Sequence, residues 1–195
     1  MAGGAGSRLG FGEKPLTLVC DRPMISYIVD AFRSAGCEPV VAVSQKTPMT
    51  SNWCRAHDTP VVRTGGYGYI EDMVTAVRHL DEDRSLFISV SDIPCITPEI
   101  IVTIEKAYHT CKKDALSAWV PASRVKTCRG EITYHETING IDSCPAGINI
   151  LRGSAVGQEQ EECALLLDDP RLTMNVNTLE DLVRTEAFLT VQNVC

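Results

Sequence analysis

Short β-branched runs alternate with amphipathic helical stripes along almost all of this 195-residue chain, and nothing else in it constrains the fold as tightly. Residues 22–36 set Met24, Ile28, Ala31, Phe32 and Ala35 on one helical stripe, with Gly36 as a stop. Residues 38–44 (EPVVAVS) and 60–63 (PVVR) read as strands, and 69–80 carry Ile70, Met73, Val74, Val77 and Leu80 at helical spacing. The run SLFISVSD reads as a strand buried on both faces and ends at Asp92. A helix follows over 97–111, with Thr97 as N-cap and Pro98 at its first position. Further strands are expected at 114–121, 145–152 and 172–177, a hairpin over 130–140, and helices at 157–169 and 178–189. Such alternation predicts an α/β, Rossmann-like fold: a mostly parallel or mixed twisted sheet flanked by helices. No linker or low-complexity stretch divides the chain, so residues 1–195 are expected to form one domain.

Composition narrows the function classes. The net charge of −7 argues against a general nucleic-acid binder, and no apolar run is long enough for a membrane span of roughly 18 residues. Nine cysteines without a CxxC pair argue against a zinc cluster; reduced thiols used as small core residues fit better and imply a cytoplasmic location.

The chain opens with MAGGAGSRLGFGEKP, a glycine-rich loop with two cations. It lacks the Gly-Lys-Ser/Thr tripeptide of a P-loop and misses the third glycine of the dinucleotide fingerprint by one position. The physical reading is still phosphate. Glycine lets backbone N–H groups approach closely, Arg8 offers a bidentate fork, and Lys14 offers a point charge. Asp92, at the C-terminal end of a central strand, stands where ligands bind in open sheets and suits a magnesium ion that takes only one or two carboxylates. Asn177 precedes the last helix and is either a second metal contact or an N-cap beside the capping box of Thr178 and Asp181.

The spacing G-G-x-G-x-R-L-G followed by E-K-P resembles nucleotidyltransferases that activate phosphorylated metabolites, the MobA-like superfamily. With GYGYIEDM, SCPAGINI, VSD and NVNTLEDL in the same order, nearly the whole chain resembles the family of archaeal GTP:adenosylcobinamide-phosphate guanylyltransferases. That resemblance implies GTP and a corrinoid phosphate as substrates and magnesium, or another divalent cation, as cofactor. It implies that Gly3, Gly4, Gly6, Ser7, Arg8 and Lys14 bind the triphosphate, with Arg8, Lys14 and Asp92 catalytic and Asp92 and Asn177 on the metal. Beside Gly68, Glu71 or Asp72 would read guanine, with Asp72 favoured, unless both merely complement a helix dipole. Pro145, Ala146, Gly147 and Asn149 would face the acceptor, unless they form a strand entry with a glycine bulge. It also implies a short apolar strand ahead of Met1, and hence a native start upstream. Its rivals are molybdenum-cofactor or sugar-phosphate nucleotidyl transfer, and a non-catalytic nucleotide-binding regulator.

Overall fold

A computed structural model describes residues 1–3, 12–125 and 134–192. Gly4, Gly6, Ser7 and Arg8 therefore lie outside the described residues, as do 130–133 of the expected hairpin.

A small hairpin, β1 (Leu18–Val19) and β2 (Arg22–Pro23), leads into α1 (Met24–Ser34). Next come β3 (Val41–Ser44), α2 (Pro48–Ala56), β4 (Val61–Thr64), α3 (Tyr69–Leu80), β5 (Ser85–Ser89) and α4 (Pro98–Cys111). The second half runs β6 (Ala115–Pro121), β7 (Glu136–Ile138), β8 (Ile141–Arg152), β9 (Glu162–Leu166) and α5 (Leu179–Val191). Strands β3 and β4 pair in parallel, as a βαβ unit requires. The larger sheet has the order β5-β8-β6-β9, with β7 hairpinned onto β8. Long β8 runs antiparallel to β5, β6 and β7, while β6 and β9 are parallel. The sheet is thus mixed through its middle.

Two residues join the pieces. The Met1 amino group donates to the Ser89 carbonyl at 2.7 Å, and the Ala2 N–H donates to the Ala42 carbonyl at 2.8 Å. They bridge β3 and β5 at the mouth of an apolar cleft of about 1100 Å³, lined among others by Val29, Phe32, Val41, Val62 and Phe87. The main core lies between helices α1 and α4 and the large sheet. Ile101 and Ile104 of α4 are fully buried there against Leu116 and Ile148. At about 1.5–3 kcal/mol per buried aliphatic side chain, this burial is what docks the helix.

Several expectations need correction. The acidic stretch 157–169, expected as a helix, contains β9, because Cys163 to Leu166 find a parallel ladder on Leu116 to Trp119. Residues 172–177, expected as a strand, instead begin within a 3-10 turn (Pro170–Thr173) and continue irregularly; Asp169 caps that turn, accepting the Arg171 N–H at 2.9 Å. On α3, Val77 is buried, but Ile70 and Leu80 at the two ends of the expected stripe are exposed. Cys20 is disulfide-bonded, which corrects the reading of all thiols as reduced. Six other described cysteines are free, Cys54 and Cys95 among them. No helix among the described residues is long and apolar enough to cross a membrane.

Candidate active site

The E-K-P tripeptide divides its labour in a way the chain order does not show. Glu13 reaches the start of α2, accepting the Met49 N–H at 2.7 Å and the Thr50 N–H and hydroxyl at 2.6 Å each. A carboxylate there satisfies orphan donors and complements the helix dipole. Pro15 is buried inside the short 3-10 turn that follows. With both flanks fixed, Lys14 is aimed at one place. Its ammonium ion-pairs with Oδ2 of Asp92 and donates to Oδ1 of Asn177 at 2.7 Å.

Residues 14, 92 and 177 thus meet from the two ends and the middle of the chain. Lys14 and Asp92 are both largely withdrawn from water, each 17% exposed. The Asp92 main chain is itself pinned, its carbonyl accepting the Val176 N–H at 2.9 Å. Its Oδ1 is buried and has no hydrogen-bond partner among the described residues. A carboxylate oxygen buried without a donor costs on the order of 1–3 kcal/mol, so it marks a place for something else to bind. Asn177 is no cap. Thr178 takes that position, with the reciprocal Thr178–Asp181 bonds of a capping box. Asn177 is held by its Nδ2, which donates to Asn175 Oδ1 at 2.7 Å, leaving Oδ1 turned to Lys14.

The donor set suits a hard divalent cation. Asp92 Oδ1 is buried with no partner among the described residues, and Asn177 Oδ1 sits across the same ammonium. No cluster of three or more His, Cys, Asp or Glu side chains occurs among the described residues, but magnesium takes one or two carboxylates and completes its shell with water and phosphate.

The loop between β4 and α3 forms the neighbouring wall. Asp72, 6% exposed, spends Oδ1 on it, accepting the Gly66 N–H at 2.9 Å and the Tyr67 N–H at 3.4 Å. Lys46 donates to the Gly66 carbonyl at 2.8 Å, and Ser44 donates to the Gly3 carbonyl at 2.8 Å. Gly66 needs its hydrogen: its φ is +71°, and a Cβ there would lie 3.2 Å from that of Ser44. Gly3 is in van der Waals range of Ser44 and Asp72, so the first described glycine of the opening loop sits beside this wall. Glu71 stays exposed, its carboxylate folded over Gly68. Tyr69 is only partly exposed. Burial raises its hydroxyl pKa, and the negative charge of Asp92 raises it further.

The four acceptor candidates do not share one face. Ala146 lies in the core at 3% exposure, whereas Pro145, Gly147 and Asn149 are on the opposite face of β8. Gly147 has φ +78°, at a register shift of β8 against β6, and a Cβ would come within 2.6 Å of Val90 Cγ2. The glycine bulge is therefore real, and it lets β8 pass two residues from Asp92.

Sequence reasoning missed Glu13, Ser44, Lys46 and Tyr69. Ser44 carried a usable signal, since it ends the parallel strand β3, and Asp92 likewise follows the end of β5 by three residues.

A mixed sheet with a lysine–carboxylate pair and an amide oxygen gathered just past the end of β5 fits a nucleotidyltransferase. Comparison with known proteins specifies it further: residues 1–148 match the model of the MobA-like NTP transferase domain, and the chain belongs to that family. It is 30% identical, over 97% of its length and 95% of the relative's, to the adenosylcobinamide-phosphate guanylyltransferase of Methanocaldococcus jannaschii. Among solved structures it resembles a hypothetical transferase from Thermus thermophilus (TM-score 0.69, 17% identity, 93% of this chain and 96% of that one). It also resembles a CMP:2-keto-3-deoxy-manno-octonic acid synthetase complexed with CTP (0.69, 15%, 95% and 94%). The molybdopterin-guanine dinucleotide biosynthesis protein A of Archaeoglobus fulgidus is similar too (0.64, 16%, 97% and 96%). At these identities the structures speak for the fold alone.

Proposed function

We propose that this chain transfers GMP from GTP to adenosylcobinamide phosphate, giving adenosylcobinamide-GDP and pyrophosphate. The observation that carries a transferase at this place is the meeting of Lys14, Asp92 and Asn177 beside an unpartnered carboxylate oxygen. The acceptor is suggested by the guanylyltransferase relative, which is similar along nearly the whole chain.

The chemistry asks little of a general base. A phosphate monoester loses its second proton near pH 6, so the attacking oxygen is already anionic at neutral pH. That oxygen bonds to the α-phosphorus of GTP, and the bond from the α-phosphorus to the bridging oxygen breaks, expelling pyrophosphate. The difficulty is to hold two anions in line while charge spreads over the phosphoryl oxygens. Lys14 offsets that charge, and Asp92 keeps the ammonium in place until the nucleotide arrives. Gly3, Gly4, Gly6, Ser7 and Arg8 would wrap the triphosphate, all but Gly3 lying outside the described residues. Asp92 and Asn177 would hold magnesium, which supplies positive charge to phosphate oxygens when bound. Gly68 and Glu71 would line the base; Asp72, the favoured reader of guanine, is instead buried and spends Oδ1 on the loop N–H groups. Pro145, Gly147 and Asn149 would face the acceptor, without the core residue Ala146. A cytoplasmic location is part of this reading, in keeping with the free thiols.

Calorimetric titration with GTP, ATP and CTP in the presence of magnesium tests the donor. The reading expects GTP to bind most tightly. Pyrophosphate release with adenosylcobinamide phosphate, and not with molybdopterin or a sugar phosphate, tests the acceptor; release with none of them would favour a silent regulator.

A further inference from the structure

Tyr67 is the large side chain least explained by packing. It is 86% exposed, the highest among the exposed large hydrophobic side chains. An exposed aromatic is common on a loose loop tip, but this one is built in from below. Its own N–H is accepted by the buried Asp72 carboxylate, which also holds the N–H of Gly66. Lys46 fixes the Gly66 carbonyl from the other side. Its ring lies directly on Gly65, where a Cβ would fall 2.2 Å from a ring carbon. The ring therefore leans on bare backbone at Gly65 and is otherwise open. Gly65 is what permits that posture, and the three hydrogen bonds have already met the ordering cost that a stacking partner would otherwise impose.

We propose that the open face of Tyr67 is the stacking surface for the nucleobase of the nucleotide substrate, a positioning role for the base. The inference rests on the nucleotidyl-transfer reading and adds the residue that holds the base plane. Two placements support it. Gly66 packs against Ser44, and Ser44 holds Gly3 at the start of the glycine loop, so the platform adjoins the expected triphosphate. Glu71, folded over Gly68, places a carboxylate at the rim, where a purine edge could donate to it. Stacking is tolerant of base identity, since every base has a π face, so it supplies affinity and leaves the choice of base to edge contacts.

The test compares nucleotide with bare inorganic triphosphate on the purified full chain, using Tyr67→Ala and Tyr67→Phe. For Tyr67→Ala the inference expects the Kd for GTP to rise about 10-fold or more, the scale of one aromatic–base stack. The Kd for triphosphate should stay unchanged, and Tyr67→Phe should bind GTP like the wild type. Should the wild type prefer another nucleoside triphosphate, the guanylyl reading falls, and the same comparison is made with the preferred nucleotide. Equal weakening of nucleotide and triphosphate, or no weakening of either, overturns the stacking role.

Discussion

Two carboxylates sit within a few residues of the same ammonium, and they have opposite surroundings. At the start of α5, Asp181 accepts the Asn177 and Thr178 N–H groups at 3.1 and 3.0 Å, the Thr178 hydroxyl at 2.9 Å and Arg184 at 2.9 Å. Among the described residues, both its oxygens are used by partners at most four positions away. At the end of β5, Asp92 has one oxygen on Lys14, seventy-eight positions away, and the other buried with no partner among the described residues. Burial alone does not separate a structural carboxylate from a functional one. Completeness of satisfaction and the sequence distance of the partners do.

Substitutions at Asp92, Asp181, Lys14 and Gly147 would break or sharpen that contrast. Asp92→Asn should lower kcat/KM by about 100-fold or more, the scale of losing one preorganised electrostatic contact, while leaving Tm close to wild type. Asp181→Asn should do the reverse, costing about 1–2 kcal/mol in urea unfolding through the lost capping box, with kcat of the folded protein retained. If the two variants behave alike, satisfaction of the carboxylate does not separate the two roles.

Lys14→Met should lower turnover by about 100-fold. It should also destabilise the fold by about 1–3 kcal/mol, because Asp92 would then be left with neither oxygen paired; Lys14→Arg should recover more of the stability than of the rate. Gly147→Ala should cost about 1–3 kcal/mol through its positive φ and its clash with Val90. Adding Val90→Ala should relieve the clash and leave the backbone strain, so the double variant should unfold between the single one and the wild type.

The smallest effect concerns thiols. Burial pushes Cys95 up to about 12 and Cys54 up to about 11, above the ordinary value of 9.0. Raised folded values mean that this contribution to stability is fully present below pH 9 and is lost as pH climbs from 9 through 11 and 12. Between pH 8 and pH 10, urea unfolding should show a decline of about 1 kcal/mol for each of the two thiols, because the unfolded chain ionises them and the folded one does not. At pH 8, native Cys54 and Cys95 should react with a thiol reagent far more slowly than half-exposed Cys163.

What the sequence reveals of this site follows from the range of each interaction. Asp92 is visible because a carboxylate just past an apolar run is informative by itself, although the strand expected to be buried on both faces up to Asp92 stops at Ser89 and buries only Ile88. Lys14 is visible because its spacing from the glycines is local. The capping box of Thr178 and Asp181 spans three residues and can be read directly. Helix α2 cannot: Pro-Met-Thr-Ser-Asn has weak helical propensity, and its first turn is capped by Glu13 from thirty-six and thirty-seven residues away. Strand β9 reads as a helix because Ala164, Leu165 and Leu166 favour helices in isolation, and the ladder to β6 that overrides this is made by residues 47 positions earlier. Asn177 is ambiguous, since its residue type serves a cap and a ligand equally well, and only the position of Lys14 separates them. The pinned loop of Gly65 to Gly68 is legible as glycine-rich, but its fixing by Lys46 and Asp72 depends on where β3 and β4 end.

The most direct measurement is product formation by Asp92→Asn beside the wild type. GTP, adenosylcobinamide phosphate and magnesium would be mixed with each protein, and pyrophosphate and adenosylcobinamide-GDP counted together. The expected result is equimolar appearance of both products with the wild type, and loss of about 100-fold or more in the variant at near-wild-type Tm. Undiminished turnover by a well-folded Asp92→Asn protein would contradict the placement of the reaction at the end of β5.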